Sequence, residues 1–252
     1  MGMPSSALSR NEPTAGAATR SPLATARLAG LLYLLIAAAA AVAHAYVPAQ
    51  LIVAGDAAAT VGRIAANAPL FRLGIVAEYV ILLSEVALCV LLYVLFRPVS
   101  VSLALMMTSF RLVMTAIHGA NMLNQFVVLN LSSGGDTAAL FAPGQRESLV
   151  ALFLDAYGAG FAIGIVFLVP HVFLLGYLVF VSGFLPRLLG LLLLLAGGGY
   201  LLDSVALLVL PGYAETPAVV ALLIAVAEIA FPLWLLIKGV AVERWQQRGL
   251  AL

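Results

Sequence analysis

Two long apolar runs, residues 71–96 and 99–131, meet at the short polar break Arg97-Pro98, and inside them stand four ionisable side chains: Glu78, Glu85, Arg111 and His118. Roughly 20 apolar residues suffice for a helix to cross the hydrocarbon core of a bilayer, so each run is long enough to span one. A break this short makes the two helices antiparallel neighbours. Glu85 and Arg111 each lie 13 positions from Pro98, and Glu78 and His118 each lie 20. Seven residues is nearly two helical turns, so Glu78 shares a face with Glu85 and Arg111 with His118, each step climbing about 10 Å. The spacing therefore predicts two rungs across the hairpin, Glu85 opposite Arg111 and Glu78 opposite His118, which stand or fall together.

Composition excludes a water-soluble home for such runs. Of 252 residues, 64% are hydrophobic and 9% charged, with a mean hydropathy of +1.14, whereas an ordinary soluble domain is roughly a quarter charged. The formal charge of +1 carries no basic excess, so no nucleic-acid partner is expected; the partner is the lipid bilayer. Cys89, the one cysteine, has no second thiol to pair with in the chain.

Taken in order, residues 1–26 show no apolar periodicity and read as a disordered cytoplasmic leader. Spans are predicted at 28–47, 71–96, 99–131, 149–181, 188–210 and 217–237, which places a transmembrane domain over 27–240 and a charged cytoplasmic tail over 241–252. The first run also fits a signal peptide ending at Ala43-His44-Ala45, but further runs of the same kind favour a retained span. Between the first two spans, Asp56 can cap a short Ala-rich helix ending near Asn67. One or two turns are expected over 136–141, and Pro170 should kink the fourth span. Ala156, Gly160 and Gly164 recur every four residues there, a stripe that lets a neighbouring helix approach closely in lipid.

Positive charge sets the orientation. With alternating spans, Arg10, Arg20, Arg27, Arg97, Arg187, Lys238, Arg244 and Arg248 fall on one side and Arg63 and Arg146 on the other, so both termini should be cytoplasmic. The fold class is thus all-α, an integral bundle of six transmembrane helices.

At a rise of about 1.5 Å per residue, Glu85, Arg111, His171 and Glu228 fall near mid-bilayer. Glu78, His118, Asn121 and Asp203 fall in the outer half, with His44 and Asp155 further out. These residues form a candidate polar seam in which acids outnumber the single arginine. Asp203 and Glu228 are expected to bond a neighbouring serine, Ser204 or Ser84, and Asp155 to sit in headgroup water. His171 is placed to serve the carbonyl that Pro170 leaves unpaired. No metal or cofactor is expected, because the three histidines lie on different spans and neither H-E-x-x-H nor paired-cysteine spacing occurs. A haem would require His44 and His118 to face each other at equal depth.

Several phrases together resemble a known family: Leu28-Ala29-Gly30-Leu31-Leu32-Tyr33, Gly55-Asp56-Ala57, Phe71-Arg72-Leu73-Gly74, Gly119-Ala120-Asn121, Gly183-Phe184-Leu185-Pro186-Arg187 and Gly199-Tyr200-Leu201-Leu202-Asp203-Ser204. From about Arg27 to Gly239 the chain resembles a bacterial polytopic membrane family catalogued as a domain of unknown function, number four-three-eight-six. The resemblance implies a six-span bacterial inner-membrane protein and brings no reaction and no site residues. The residues themselves suit a small transport or binding protein whose seam handles a proton or small solute from the outer side. They also read as an intramembrane hydrolase or metal enzyme built on His118, Asp203, Glu78 and Asp155, or as an inert seam in a structural or signalling partner.

Overall fold

The computed structural model describes residues 21–210, 212–213 and 216–250, and among these every regular element is helical. Residues 1–20, which hold most of the expected leader, lie outside the described residues. Among the described residues six helices are long and apolar enough to cross a membrane.

The first begins at Pro22, earlier than expected, because Ser21 caps it: its Oγ accepts from the Ala24 N–H at 3.2 Å, and proline suits the first helical position. Helix α1 (Pro22–Ala40) then widens into a π-helical turn, Ala41–Tyr46, and resumes as α2 (Val47–Leu51), giving one span of 30 residues, Pro22–Leu51. Pro48 does not end it. In a regular helix the proline ring clashes with the carbonyl four residues back, which here belongs to His44, and the wide turn lies at that place.

Helix α3 (Ala57–Ala66) is the expected loop helix, capped by Asp56 Oδ1 accepting from Ala59 N at 2.8 Å. Helix α4 (Ala68–Phe96) and α5 (Val101–Ser132) form the hairpin, with Ser100 capping α5. After the single turn α6 (Asp136–Ala139), α7 (Pro143–Ser182) starts well before the expected 149 and runs 40 residues, with Pro170 inside it and Gly183 ending it at φ +76°. Helix α8 (Arg187–Val209) and α9 (Ala218–Ile237) complete the spans.

Each spanning helix packs on two others in a closed ring, in the order α1, α4, α5, α7, α8, α9 and back to α1. Glycines permit the closest joints: a Cβ on Gly30 would stand 2.6 Å from the Pro232 carbonyl oxygen, and one on Gly190 2.6 Å from the Phe180 nitrogen. Polarity is arranged for lipid. Glu78, Glu85, Arg111, Asn121 and His171 are buried inside the ring, while Leu83, Leu123 and Leu202 point out and are exposed.

The tail, expected only as a charged segment, folds into α10 (Val242–Leu250) across the C-terminal ends of α4 and α7. Trp245 Nε1 donates to the Leu95 carbonyl at 2.8 Å, and Arg248 and Arg244 donate to the Val181 and Gly183 carbonyls at 2.9 and 3.1 Å. These are carbonyls at or just beyond the ends of α4 and α7, where intrahelical donors run out.

Candidate functional site

The inner rung forms as its spacing predicts. Arg111 Nη2 meets Glu85 Oε1 at 3.3 Å, with both residues buried. Thr115, one turn along α5, donates its hydroxyl to the other carboxylate oxygen at 2.8 Å. A third helix joins from α7: His171 Nδ1 lies 2.9 Å from the Met107 carbonyl and Nε2 lies 3.3 Å from Arg111 Nη1. A carbonyl only accepts and a guanidinium only donates, so the imidazole holds its single proton on Nδ1. His171 therefore pins α7 to α5 and does not serve its own helix past Pro170, contrary to expectation. The Arg111 guanidinium also stands over the Tyr33 ring, 5.3 Å from its centroid.

The outer rung does not form, which corrects the expected Glu78–His118 pair. Glu78 accepts from the Tyr157 hydroxyl of α7 and has His44 Nδ1 of the wide turn at 3.6 Å. His118 turns to the backbone of α7, donating Nε2–H to the Phe161 carbonyl at 3.2 Å and stacking on the Phe161 ring with centroids 4.7 Å apart. Next along α5, Asn121 donates to the Tyr157 carbonyl at 2.8 Å and accepts from Asn124 at 2.8 Å. The cause lies in the small-residue stripe: a Cβ on Gly160 would fall on the Asn121 side chain and one on Gly164 on the His118 ring. Helix α7 comes so close there that the polar side chains of α5 lie over its backbone.

The remaining acids find tyrosines where serines were expected. Glu228 accepts from the Tyr200 hydroxyl, and Asp203 from Tyr213 at 2.5 Å. That hydrogen bond holds the Tyr213 phenol, in the loop beyond α8, above its ordinary range. Pro232, one turn after Glu228, also leaves the Glu228 backbone carbonyl without its intrahelical donor. Asp155 is exposed and belongs to an outer groove shared with Asp56. The set His118, Asp203, Glu78 and Asp155, expected together in an enzyme reading, is thus dispersed over separate contacts. Among the described residues no three His, Cys, Asp or Glu side chains are grouped to hold a metal ion. His44 and His118 do approach equal depth, but both lie against Phe161, His44 at 5.1 Å between ring centroids, and His118 Nε2 is already engaged.

A cavity of about 210 Å³ runs up the ring interior and touches Glu78, Glu85, Arg111, His118, His171 and Glu228. A second, of about 360 Å³, opens beside it near Leu51, Phe71 and Tyr157, at the end of the bundle where the first span closes and α4 starts. His44 and Phe161 line both. Tyr33, Tyr157, Phe161 and Tyr200 were missed in the sequence because aromatic residues in a span read as packing. One signal was there: Tyr157, Gly164 and His171 are seven apart, the period of the Glu78/Glu85 and Arg111/His118 pairs.

Fold and site together define, among the described residues, an all-helical architecture whose six long helices are apolar enough to cross a membrane, ringed about a buried polar seam. The chain belongs to the family described as Domain of unknown function (DUF4386), which it matches over residues 28–239. An uncharacterized protein of Archaeoglobus fulgidus is 34% identical over 167 residues, spanning 66% of this chain and 83% of that protein. No solved structure matches the chain.

Proposed function

We propose that the protein is a multi-pass component of a bacterial inner membrane, both termini cytoplasmic, that admits a proton or small solute from the outer side into its polar seam. The observation that carries this reading is a pair of cavities that have His44 and Phe161 in both linings, one open near Leu51 and Phe71 and the other reaching the Glu85–Arg111 pair. His44, which lines both cavities, stands 3.6 Å from Glu78, which lines the inner one, as an imidazole and a carboxylate able to exchange a proton. The charge count supports the orientation: Arg97, Arg187, Lys238, Arg244 and Arg248 all belong to the end opposite that opening.

Reconstitution into liposomes loaded with a pH-reporting dye tests it. An imposed proton gradient should collapse faster than in protein-free vesicles, and Glu78→Gln should slow the collapse severalfold. Wild-type vesicles as tight as empty ones would overturn the proton alternative of the reading. Labelling of a His44→Cys variant by a membrane-impermeant thiol reagent, added outside to a Cys89→Ala background, checks the direction; modification from the cytoplasmic face alone reverses it.

A further inference from the structure

We infer, building on the function proposed above, that the inner cavity takes a small zwitterion: a solute of fewer than about ten heavy atoms that carries one ammonium and one carboxylate group. Size comes first. An apolar cavity of about 150 Å³ accommodates benzene, and this one measures about 210 Å³.

The donors come second. Arg111 Nε and the Tyr33 hydroxyl are buried without a hydrogen-bond partner, and both residues line the cavity. Arg111 is only 6% exposed, and its other two nitrogens already serve Glu85 and His171. A buried donor without an acceptor is costly, and a guanidinium N–H and a hydroxyl on residues in contact, the guanidinium over the Tyr33 ring, suit the oxygens of a carboxylate.

Charge supplies the other end. Glu78, Glu85 and Glu228 all reach the cavity, against the one guanidinium of Arg111; of the three histidines that also line it, His171 has both nitrogens committed as donor and acceptor, His118 donates to the Phe161 carbonyl and His44 stands beside Glu78. An added anion alone would deepen a negative excess, and an added cation alone would leave the Arg111 and Tyr33 donors unmet. Glu228, an exposed residue that lines the cavity, accepts from Tyr200 through one oxygen and makes no further hydrogen bond among the described residues, so its carboxylate can take an ammonium. Ile36, Leu193 and Phe231 line the same cavity and suit the carbon chain between the two ends.

The test is thermal unfolding of the purified full chain in lipid nanodiscs with four matched probes: 2-aminobutanoate, 4-aminobutanoate, butanoate and butylammonium. At least one aminobutanoate should raise Tm saturably, while butanoate and butylammonium at the same concentration leave it unchanged. Tyr33→Phe and Glu228→Gln should each weaken the apparent Kd of that probe by about tenfold or more. Butylammonium binding as tightly as the aminobutanoates, no response to either aminobutanoate, or wild-type affinity in both variants overturns the inference. If a variant does not fold, the four probes on the wild-type chain decide by themselves. Proton flux without aminobutanoate binding defeats this inference and leaves the proton alternative of the proposed function standing; binding to a proton-tight protein upholds this inference and removes the proton alternative.

Discussion

At Glu85 and Arg111 three helices close until the carboxylate, both terminal nitrogens of the guanidinium and the imidazole have partners; two turns along, at Glu78 and His118, the same hairpin fails to pair. The two rungs have the same spacing and the same two helices, so hairpin geometry alone cannot explain the difference. What differs is the residue that α7 presents. Opposite Arg111 it offers His171, which joins the pair end-on. Opposite His118 it offers Gly164, whose missing side chain lets the α7 backbone take the imidazole, while Tyr157 takes the carboxylate. Depth sets which groups are level; the third helix decides which of them bond.

The largest expected effect tests the closed rung. Arg111→Ala strands Glu85 without its cation and should cost on the order of 3 kcal/mol in unfolding measured in detergent, with Glu85→Gln plus Arg111→Gln recovering most of it. A loss under about 1 kcal/mol would mean that water already reaches the pair, and the contrast with the outer rung would dissolve.

Next comes the cause assigned to the open rung. Gly164→Leu drives a side chain into His118 and should cost about 1 to 3 kcal/mol and sharply reduce folded yield. Gly158→Leu, where nothing lies within 4 Å of an added Cβ, should be tolerated. Equal tolerance at the two positions removes the glycine explanation.

Smallest is the effect at His118 itself. His118→Phe keeps the stacking on Phe161 and loses one hydrogen bond, so about 0.5 to 1.5 kcal/mol is expected. A cost matching that of Arg111→Ala would show that His118 pairs with Glu78 after all.

The fold was largely legible, for reasons that the particular helices make plain. Apolar length gave all six spans, Asp56 gave the loop helix, and the polar break gave the hairpin. Pro48 misled because a proline stops a helix only if the turn before it stays regular. In the seam, the Glu85–Arg111 contact could be read because both partners flank one short break. The tyrosines could not, because each reaches its acid across helices or along a loop: Tyr157 to Glu78 from α7 to α4, Tyr200 to Glu228 from α8 to α9, Tyr213 to Asp203. The first of these depends on the cyclic order of the helices, which no spacing within one chain segment encodes; the other two depend on which way a tyrosine near its acid turns.

The wide turn at Ala41–Tyr46 bears on how chains of this kind can vary. A π-helical turn holds one residue more than the regular helix would over the same stretch, so it uncouples the count of residues from the angle at which the next one points. Losing a single residue there would leave Gly30 against α9 and the α3 cap at Asp56 in their places, yet swing His44 by about 100° away from Glu78. Insertions and deletions in a membrane helix are ordinarily disruptive along its whole length; this one offers evolution a local dial, adjusting a single imidazole at the mouth of the seam without disturbing the bundle.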